Sequence, residues 1–327
     1  MLPTPLVDAP RLASVLGVAS LWVKRDDLTG FAAAGNKARP LELLLDDALA
    51  GGADTLLTGG AVASNFVPAA AAAAAHAGLA CCLVLAGAPQ PPQAHPNLAA
   101  AVAWGAELSW TGNPDRSSVD AALPRAADRL VDQGRRPHLV PRGGANATGA
   151  SGYRLAADEL LAQLAPVAQA DGGQPVVVVA TGSGGTLAGL VAGNVALARP
   201  FRLVGASVSR GPAEVARRVL QLATEVAARR GEPQPAPTDV CLVDARGSGH
   251  GLPSAEGDRA AALALRTAGL VLDPVYTAKA LAALPQAAGG APAVFWHTGG
   301  LLDAVAGFLA DSGRRVNPVD HHATEDS

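Results

Sequence analysis

The sequence predicts an α/β fold in which mostly parallel sheets are covered by helices. Two observations lead there. Short apolar runs alternate regularly with helical patterns along most of the 327 residues, and no repeat of fixed period interrupts the alternation. One run, Val176–Ala180, is apolar throughout and rich in β-branched residues, as a strand buried on both faces should be.

In chain order, Leu21–Val23 reads as a strand and Ala38–Leu49 as an amphipathic helix that ends at Gly51-Gly52. Thr55–Thr58 is a strand, followed by Gly59-Gly60. Pro68 then opens an alanine-rich helix, a favourable first-turn position for proline. Leu79–Leu85 and Glu107–Trp110 are strands on either side of a helix over Leu98–Trp104. Val119–Gln133 is a helix, His138–Val140 a strand and Ser151–Leu164 a helix. After the Val176–Ala180 strand come a helix over Leu187–Ala198, a strand over Leu203–Val208, a helix over Val215–Arg229 and a strand over Cys241–Val243. Helices over Asp258–Ala268 and Ala278–Leu284 and a strand over Val294–Trp296 complete the pattern. The proline-rich segment from Gly231 to Thr238 reads as a loop, and the polar tail from Asp311 as a frayed end.

Apolar residues make up 49% of the chain but aromatics only 3%, so the core is built from small and aliphatic side chains. A net charge of -3 leaves no basic footprint for nucleic acid. No apolar run reaches the ~20 residues that a bilayer span needs. The N-terminus has no secretory pattern, and the three cysteines form neither a metal spacing nor a disulfide framework, which points to a reducing cytoplasm.

Lys37, in Gly35-Asn36-Lys37, is one of three lysines in a chain whose basic residues are mainly arginine. A primary amine can lose its proton and attack a carbonyl, which a guanidinium cannot. A solvent-exposed turn lysine is the competing reading. Further along, the Val176–Ala180 strand runs into Thr181-Gly182-Ser183-Gly184-Gly185-Thr186, and a helix follows. A glycine-rich turn at a helix N-terminus exposes N–H groups and the positive end of the dipole, which suits an anion. A Walker A loop would need a lysine here, and a dinucleotide fingerprint would need glycine where Leu187 stands. A single phosphate fits better, against a plain strand-to-helix turn. A reactive lysine together with a monophosphate cup suggests pyridoxal 5′-phosphate (PLP).

Short motifs in a consistent order strengthen that reading. They are Lys24-Arg25-Asp26-Asp27-Leu28-Thr29-Gly30, Gly35-Asn36-Lys37-Ala38-Arg39, Ser64-Asn65, Gly143-Gly144-Ala145-Asn146, Gly152-Tyr153, the Thr181–Thr186 loop, Gly251-Leu252-Pro253, Leu272-Asp273-Pro274-Val275-Tyr276-Thr277 and His297-Thr298-Gly299-Gly300. Through them the chain resembles the D-cysteine desulfhydrase / 1-aminocyclopropane-1-carboxylate (ACC) deaminase family of fold type II PLP enzymes, whose architecture is tryptophan synthase β-like.

The resemblance implies roles. Lys37 would be the Schiff-base lysine and the base that takes the Cα proton. Asn65 would bond the phenolic oxygen of the cofactor. Ser64 and Asn65, at a helix N-terminus, would receive the substrate carboxylate, as the dipole independently favours. Thr181, Gly182, Ser183, Gly184, Gly185 and Thr186 would hold the phosphate. Thr277 would face the pyridine nitrogen, where ACC deaminases typically carry glutamate, so it resembles the desulfhydrase branch. Tyr276 would act on the substrate as an acid/base or a positioning group; a buried core tyrosine is the alternative. The chain also departs from the family. His250 stands where a second active-site tyrosine is usual, and could equally shuttle a proton or be a passive replacement that marks a changed substrate. Phe66 follows Ser64-Asn65 where a polar residue is usual, which predicts a more apolar substrate pocket. Pro40 replaces a basic residue near the phosphate.

These features predict a PLP-dependent lyase for α,β-elimination on a small amino acid, D-cysteine or a β-substituted alanine, giving pyruvate and ammonia. ACC deamination or another reaction on an unusual amino acid is one alternative, and a catalytically silent PLP-binding protein is another. Residues 50–149 would form a smaller unit against a larger one made of 1–49 and 150–327, with the cofactor between them. A homodimer follows from the resemblance alone.

Overall fold

A computed structural model of the chain describes residues 2–166, 173–249 and 251–307. The polar tail and His250 lie outside them. Two sheets carry the fold. The larger has six strands in the order β1-β2-β10-β7-β8-β9, formed by Leu6–Asp8, Leu21–Arg25, Ala293–His297, Val176–Thr181, Arg202–Ser207 and Cys241–Asp244. Its pairings are parallel except that between β1 and β2. The smaller has four parallel strands in the order β5-β4-β3-β6, formed by Glu107–Trp110, Ala80–Leu85, Thr55–Gly60 and Pro137–Leu139. The small sheet thus draws on one central stretch of chain and the large sheet on both flanks.

Strand β7 shows why these residues form a central strand. All six of its residues are buried. Successive side chains point to opposite faces. Val177 and Val179 enter a core beneath α6 (Ala147–Leu164), α7 (Gly185–Ala196) and α8 (Pro212–Arg230). Val176 and Val178 enter the opposite core with α1 (Pro10–Leu16), α9 (Ala255–Ala268) and α10 (Thr277–Ala288). In the small sheet Leu56 faces α2 (Ala38–Ala50), α3 (Phe66–His76) and α4 (Pro96–Ala103), while Leu57 faces α5 (Ser117–Asp132).

The elements read from sequence are present, with shifted ends. Helix α3 begins at Phe66, two residues before Pro68. A proline fits there because the N–H it lacks is one of the four that a helix start leaves unpaired. Helix α6 begins at Ala147, where the Asn146 side chain accepts from the Gly149 N–H at 2.8 Å. Strand β1 has no signal in the sequence, because Leu6–Asp8 is too short to show a period.

Helices α6 and α7 approach closely because α7 presents glycine. A Cβ on Gly189 would lie 2.1 Å from the Ala150 carbonyl oxygen and 2.6 Å from Tyr153 Cβ. A helical Gly→Ala change normally gains ~1 kcal/mol. At Gly189 the crowding reverses the sign, and Gly189→Ala is expected to lose ~1–3 kcal/mol in urea denaturation. A variant as stable as the parent would disprove this close packing.

Candidate active site

The parallel strands β3, β7 and β10 end at one cleft, lined by Gly59 and Gly60, by Ala180–Gly184, and by Thr298. Ligand sites in open α/β sheets form in this place, beyond the carboxyl ends of the strands.

Lys37 reaches the cleft from a tight turn over Gly35–Lys37 that leads into α2. Gly35 has φ +55, and a Cβ on it would lie 2.3 Å from the Thr298 carbonyl oxygen, so only glycine lets the turn sit against the end of β10. Asn36 pins the turn on two sides. Its N–H donates to the Thr298 carbonyl at 2.9 Å. Its Nδ2 donates to Thr186 Oγ1 at 3.0 Å, in the first turn of α7. The lysine turn and the glycine-rich loop, 144 residues apart from Lys37 to Thr181, are therefore tied by one side chain. Burial pulls the Lys37 amine down to about 8, against the pull of the Asp273 carboxylate.

The loop Thr181–Thr186 frames a neighbouring part of the cleft. Gly182, Ser183, Gly184 and Thr186 line it, as does Thr181, while Gly185 opens α7 just behind. Gly184 has φ +94, a conformation that turns the chain into the helix. Of the three hydroxyls, that of Thr181 donates back to the Val179 carbonyl at 3.2 Å, and that of Thr186 accepts from Asn36. Main-chain N–H groups and the hydroxyls of Ser183 and Thr186, beside the positive end of the helix dipole, are thus available to an anion. The donor set suits a phosphate monoester.

Across the cleft, Ser64 and Asn65 precede the first turn of α3. Ser64 Oγ accepts from the Phe66 N–H at 3.3 Å. Asn97 Nδ2, fully buried, donates to Asn65 Oδ1 at 3.2 Å and so leaves the amide N–H groups of Asn65 to serve the cleft. Asn97 had no signal in the sequence, since it lies 32 residues from its partner.

Tyr276 lies over the glycine loop: a Cβ on Gly182 would be 3.2 Å from Tyr276 Cε1. Burial, then the nearby Asp273 carboxylate, pushes the phenol up to about 12. Asp273 is fully buried, and its carboxylate accepts from the N–H groups of Val275, Tyr276 and Thr277 at 3.1, 2.8 and 2.9 Å.

Two expectations meet a different geometry. Phe66 does not line the cleft: its ring is fully buried in the core of the small sheet, where a Cβ on Gly144 would be 3.0 Å from Phe66 Cε2. The first turn of α3 rotates that side chain inward, so the apolar pocket wall is not formed by it. Thr277 is also absent from the lining. It is buried, and its Oγ1 donates to Asp273 Oδ1 at 2.6 Å, because the aspartate that caps α10 takes the hydroxyl as a further donor. His250 lies outside the described residues; just before it, the Arg246 and Gly249 carbonyls accept from the buried Lys279 ammonium at 2.7 and 2.9 Å.

The sequence reading missed the arginines. Arg116, Arg142, Arg210 and Arg218 all line the cleft. They come from four segments, so no local spacing reveals them. It also missed the purpose of Lys24-Arg25-Asp26-Asp27. Asp26 and Arg39 are buried behind the lysine turn and bond to each other, with Glu159 and Lys24 completing an ionic cluster. Tyr153 joins that cluster to the turn, its hydroxyl placed 2.6 Å from Asp26 Oδ2 and 3.3 Å from the Asn36 carbonyl.

Known proteins resemble this chain over nearly its whole length. The family model described as "Pyridoxal-phosphate dependent enzyme" matches residues 1–299. D-cysteine desulfhydrase of Salmonella paratyphi C (strain RKS4594) is 40% identical over 308 residues, covering 91% of this chain and 92% of the relative. A crystal structure of an ACC deaminase homologue superposes with a TM-score of 0.85 at 33% identity, covering 94% of this chain and 93% of that one. A fungal L-serine ammonia-lyase from Rhizomucor miehei shares the fold at a TM-score of 0.64 and 16% identity, covering 95% of this chain and 98% of that one.

Proposed function

The chain belongs to the family of pyridoxal-phosphate dependent enzymes, and on that premise we propose that it is a lyase that eliminates the β-substituent of a small amino acid, D-cysteine or a β-substituted alanine, to give pyruvate and ammonia. The observation that carries this reading is Asn36, which holds the Lys37 turn and the Thr181–Thr186 loop at a fixed separation. An amine and a phosphate site must be set in that way to grip the two ends of one cofactor. The 40% identity to a D-cysteine desulfhydrase supports the choice of substrate class.

When bound, PLP would supply an electron sink for the charge left at the substrate Cα. The residues of the chain do the rest. The loop at the start of α7 takes the phosphate through its N–H groups. Asn65, oriented by Asn97, would offer its amide N–H to the phenolic oxygen of the cofactor. The N-terminus of α3, with Ser64, receives the α-carboxylate. Lys37, with its affinity for protons weakened to about 8, gives and takes a proton at Cα near neutral pH. Tyr276, raised to about 12, stays a phenol and can donate to the departing group. Thr277 works through Asp273, fixing the carboxylate that lies near Lys37.

Residues 50–149, in the same proposal, form a smaller unit closing one side of the cleft, and the enzyme is a homodimer in the cytoplasm. No described helix is long and apolar enough to cross a membrane. The cysteines are free, with Cys81 and Cys82 buried and Cys241 exposed.

The test is product analysis on the purified holoprotein. Sulfide and pyruvate should appear from D-cysteine, and 2-oxobutyrate from ACC should not. A protein that stays colourless after reconstitution and holds no PLP by mass spectrometry would overturn the proposal.

A further inference from the structure

The wall of the cleft is cationic. Lys37 and four arginines, Arg116, Arg142, Arg210 and Arg218, line it, and no described lining residue is an aspartate or glutamate. The chain as a whole carries -3, so this is a local concentration of charge. Partners neutralise only part of it. Arg142 makes a two-pronged contact with Asp120 at 2.7 and 2.5 Å, and Arg210 pairs with Glu214 at 2.8 Å. Arg116 and Arg218 form no ion pair among the described residues. Arg218 donates from Nε to the Ser183 carbonyl at 2.9 Å, which ties it to the phosphate loop. Arg116 reaches from the start of α5 to the Ser209 carbonyl at 3.2 Å, and Ser209 Oγ donates to the Gly182 carbonyl at 3.3 Å. Arg116 therefore stands near Gly182, and close enough to Tyr276 for each to act on the other's ionisation; Tyr276 is the group assigned above to the departing substituent. Burial and the charges of Arg210 and Arg142 both disfavour protonated Arg116, so an anion entering the cleft relieves that repulsion.

A neutral β-substituted alanine brings one anion, the α-carboxylate, which the N-terminus of α3 receives. We propose that the substrate carries a second anionic group on its β-substituent, a phosphate or sulfonate, received by Arg116 with Arg142 and Arg210. This rests on the elimination reading above. A guanidinium fork matches a tetrahedral oxyanion through two parallel hydrogen bonds. With O-phosphoserine the balance is complete. Lys37 takes the Cα proton, the Cβ–O bond breaks, and inorganic phosphate leaves with the electron pair. The resulting 2-aminoacrylate tautomerises to an imine, and water hydrolyses it to pyruvate and ammonia. The arginines stabilise the charge that grows on the leaving oxygens.

The experiment compares kcat/KM for pyruvate release by holoenzyme from both enantiomers of O-phosphoserine, cysteate, cysteine and β-chloroalanine. The phosphate and sulfonate arms separate the two anion sources. An anionic substrate is expected to exceed its neutral counterparts at least tenfold. Arg116→Gln should lower the anionic value at least ten times more than the neutral one, mainly through KM, and Arg116→Lys should recover part of it. The visible cofactor band and the urea midpoint confirm that each variant is folded and loaded. Pyruvate from neutral substrates with no anionic preference overturns this inference and leaves the elimination reading standing. Arg116→Gln that loses PLP instead overturns it as well, assigning the arginine to the cofactor phosphate. Pyruvate from no substrate overturns both.

Discussion

Lys37→Ala is expected to lower pyruvate release by about 10²–10⁴-fold, the usual worth of a positioned proton-transfer group, and to remove the visible absorbance of the holoprotein. Geometry singles this amine out before chemistry does. Asn36 and Gly35 lock the turn against Thr186 and Thr298, so no other described residue can bring an amine to this point of the cleft. Lys24 and Lys279 are committed elsewhere, one in the ionic cluster with Glu159 and the other on the Arg246 and Gly249 carbonyls. Lys37→Arg should fail nearly as badly, because a guanidinium keeps its proton at any working pH. Urea denaturation should show the fold retained in both variants, since the half-buried Lys37 faces the cleft and not a core. A Lys37→Ala protein that keeps its visible band or its rate would remove Lys37 from the reaction.

Arg39→Met is expected to cost about 3–5 kcal/mol of stability, the penalty for breaking a buried ion pair and leaving its partner unpaired. Arg39 is 3% exposed and Asp26 is fully buried. The guanidinium donates twice to Asp26, at 3.0 and 2.9 Å, and twice to Glu159, both at 2.9 Å. Asp26 also accepts from Trp296 Nε1 at 2.8 Å, so β2, α2 and β10 all meet at this carboxylate. The pH dependence gives a second readout. Burial alone would raise the Glu159 carboxyl, but hydrogen bonds from Arg39 and Lys24 overcome it and hold the group at about 2, below its ordinary 4.5. A depressed carboxylate contributes stability that is full above the unfolded value and is lost as pH falls through the folded one. The parent protein should therefore weaken between pH 4.5 and about 2, and Arg39→Met should weaken less over that window. Chemical denaturation across that range decides it; a loss under about 1 kcal/mol at neutral pH would show that water or another group already serves Asp26.

Much of the fold and part of the site are legible in the sequence for one physical reason: they depend on short stretches of neighbouring residues. The valines of β7 can only be a strand buried on both faces. The glycine-rich loop at the start of α7 is an anion cup wherever that strand is placed. The scarcity of lysine marks Lys37. Packing between distant segments settles what such stretches leave open. Phe66 follows the Ser64-Asn65 pair that lines the cleft, yet the phase of α3 points its ring at Gly144. Thr277 neighbours Tyr276, yet Asp273 claims its hydroxyl. Asn36 matters through Thr186, Asn97 through Asn65, and the four arginines through a cleft that exists only once the strands of both sheets end together. Local composition is enough to set the alternation of strands and helices, the anion cup and the singular lysine. Which side chains face the cleft, and the charge that they bring, emerge with long-range packing, because the facing of a side chain depends on how its helix or strand is rotated against partners far away in the chain.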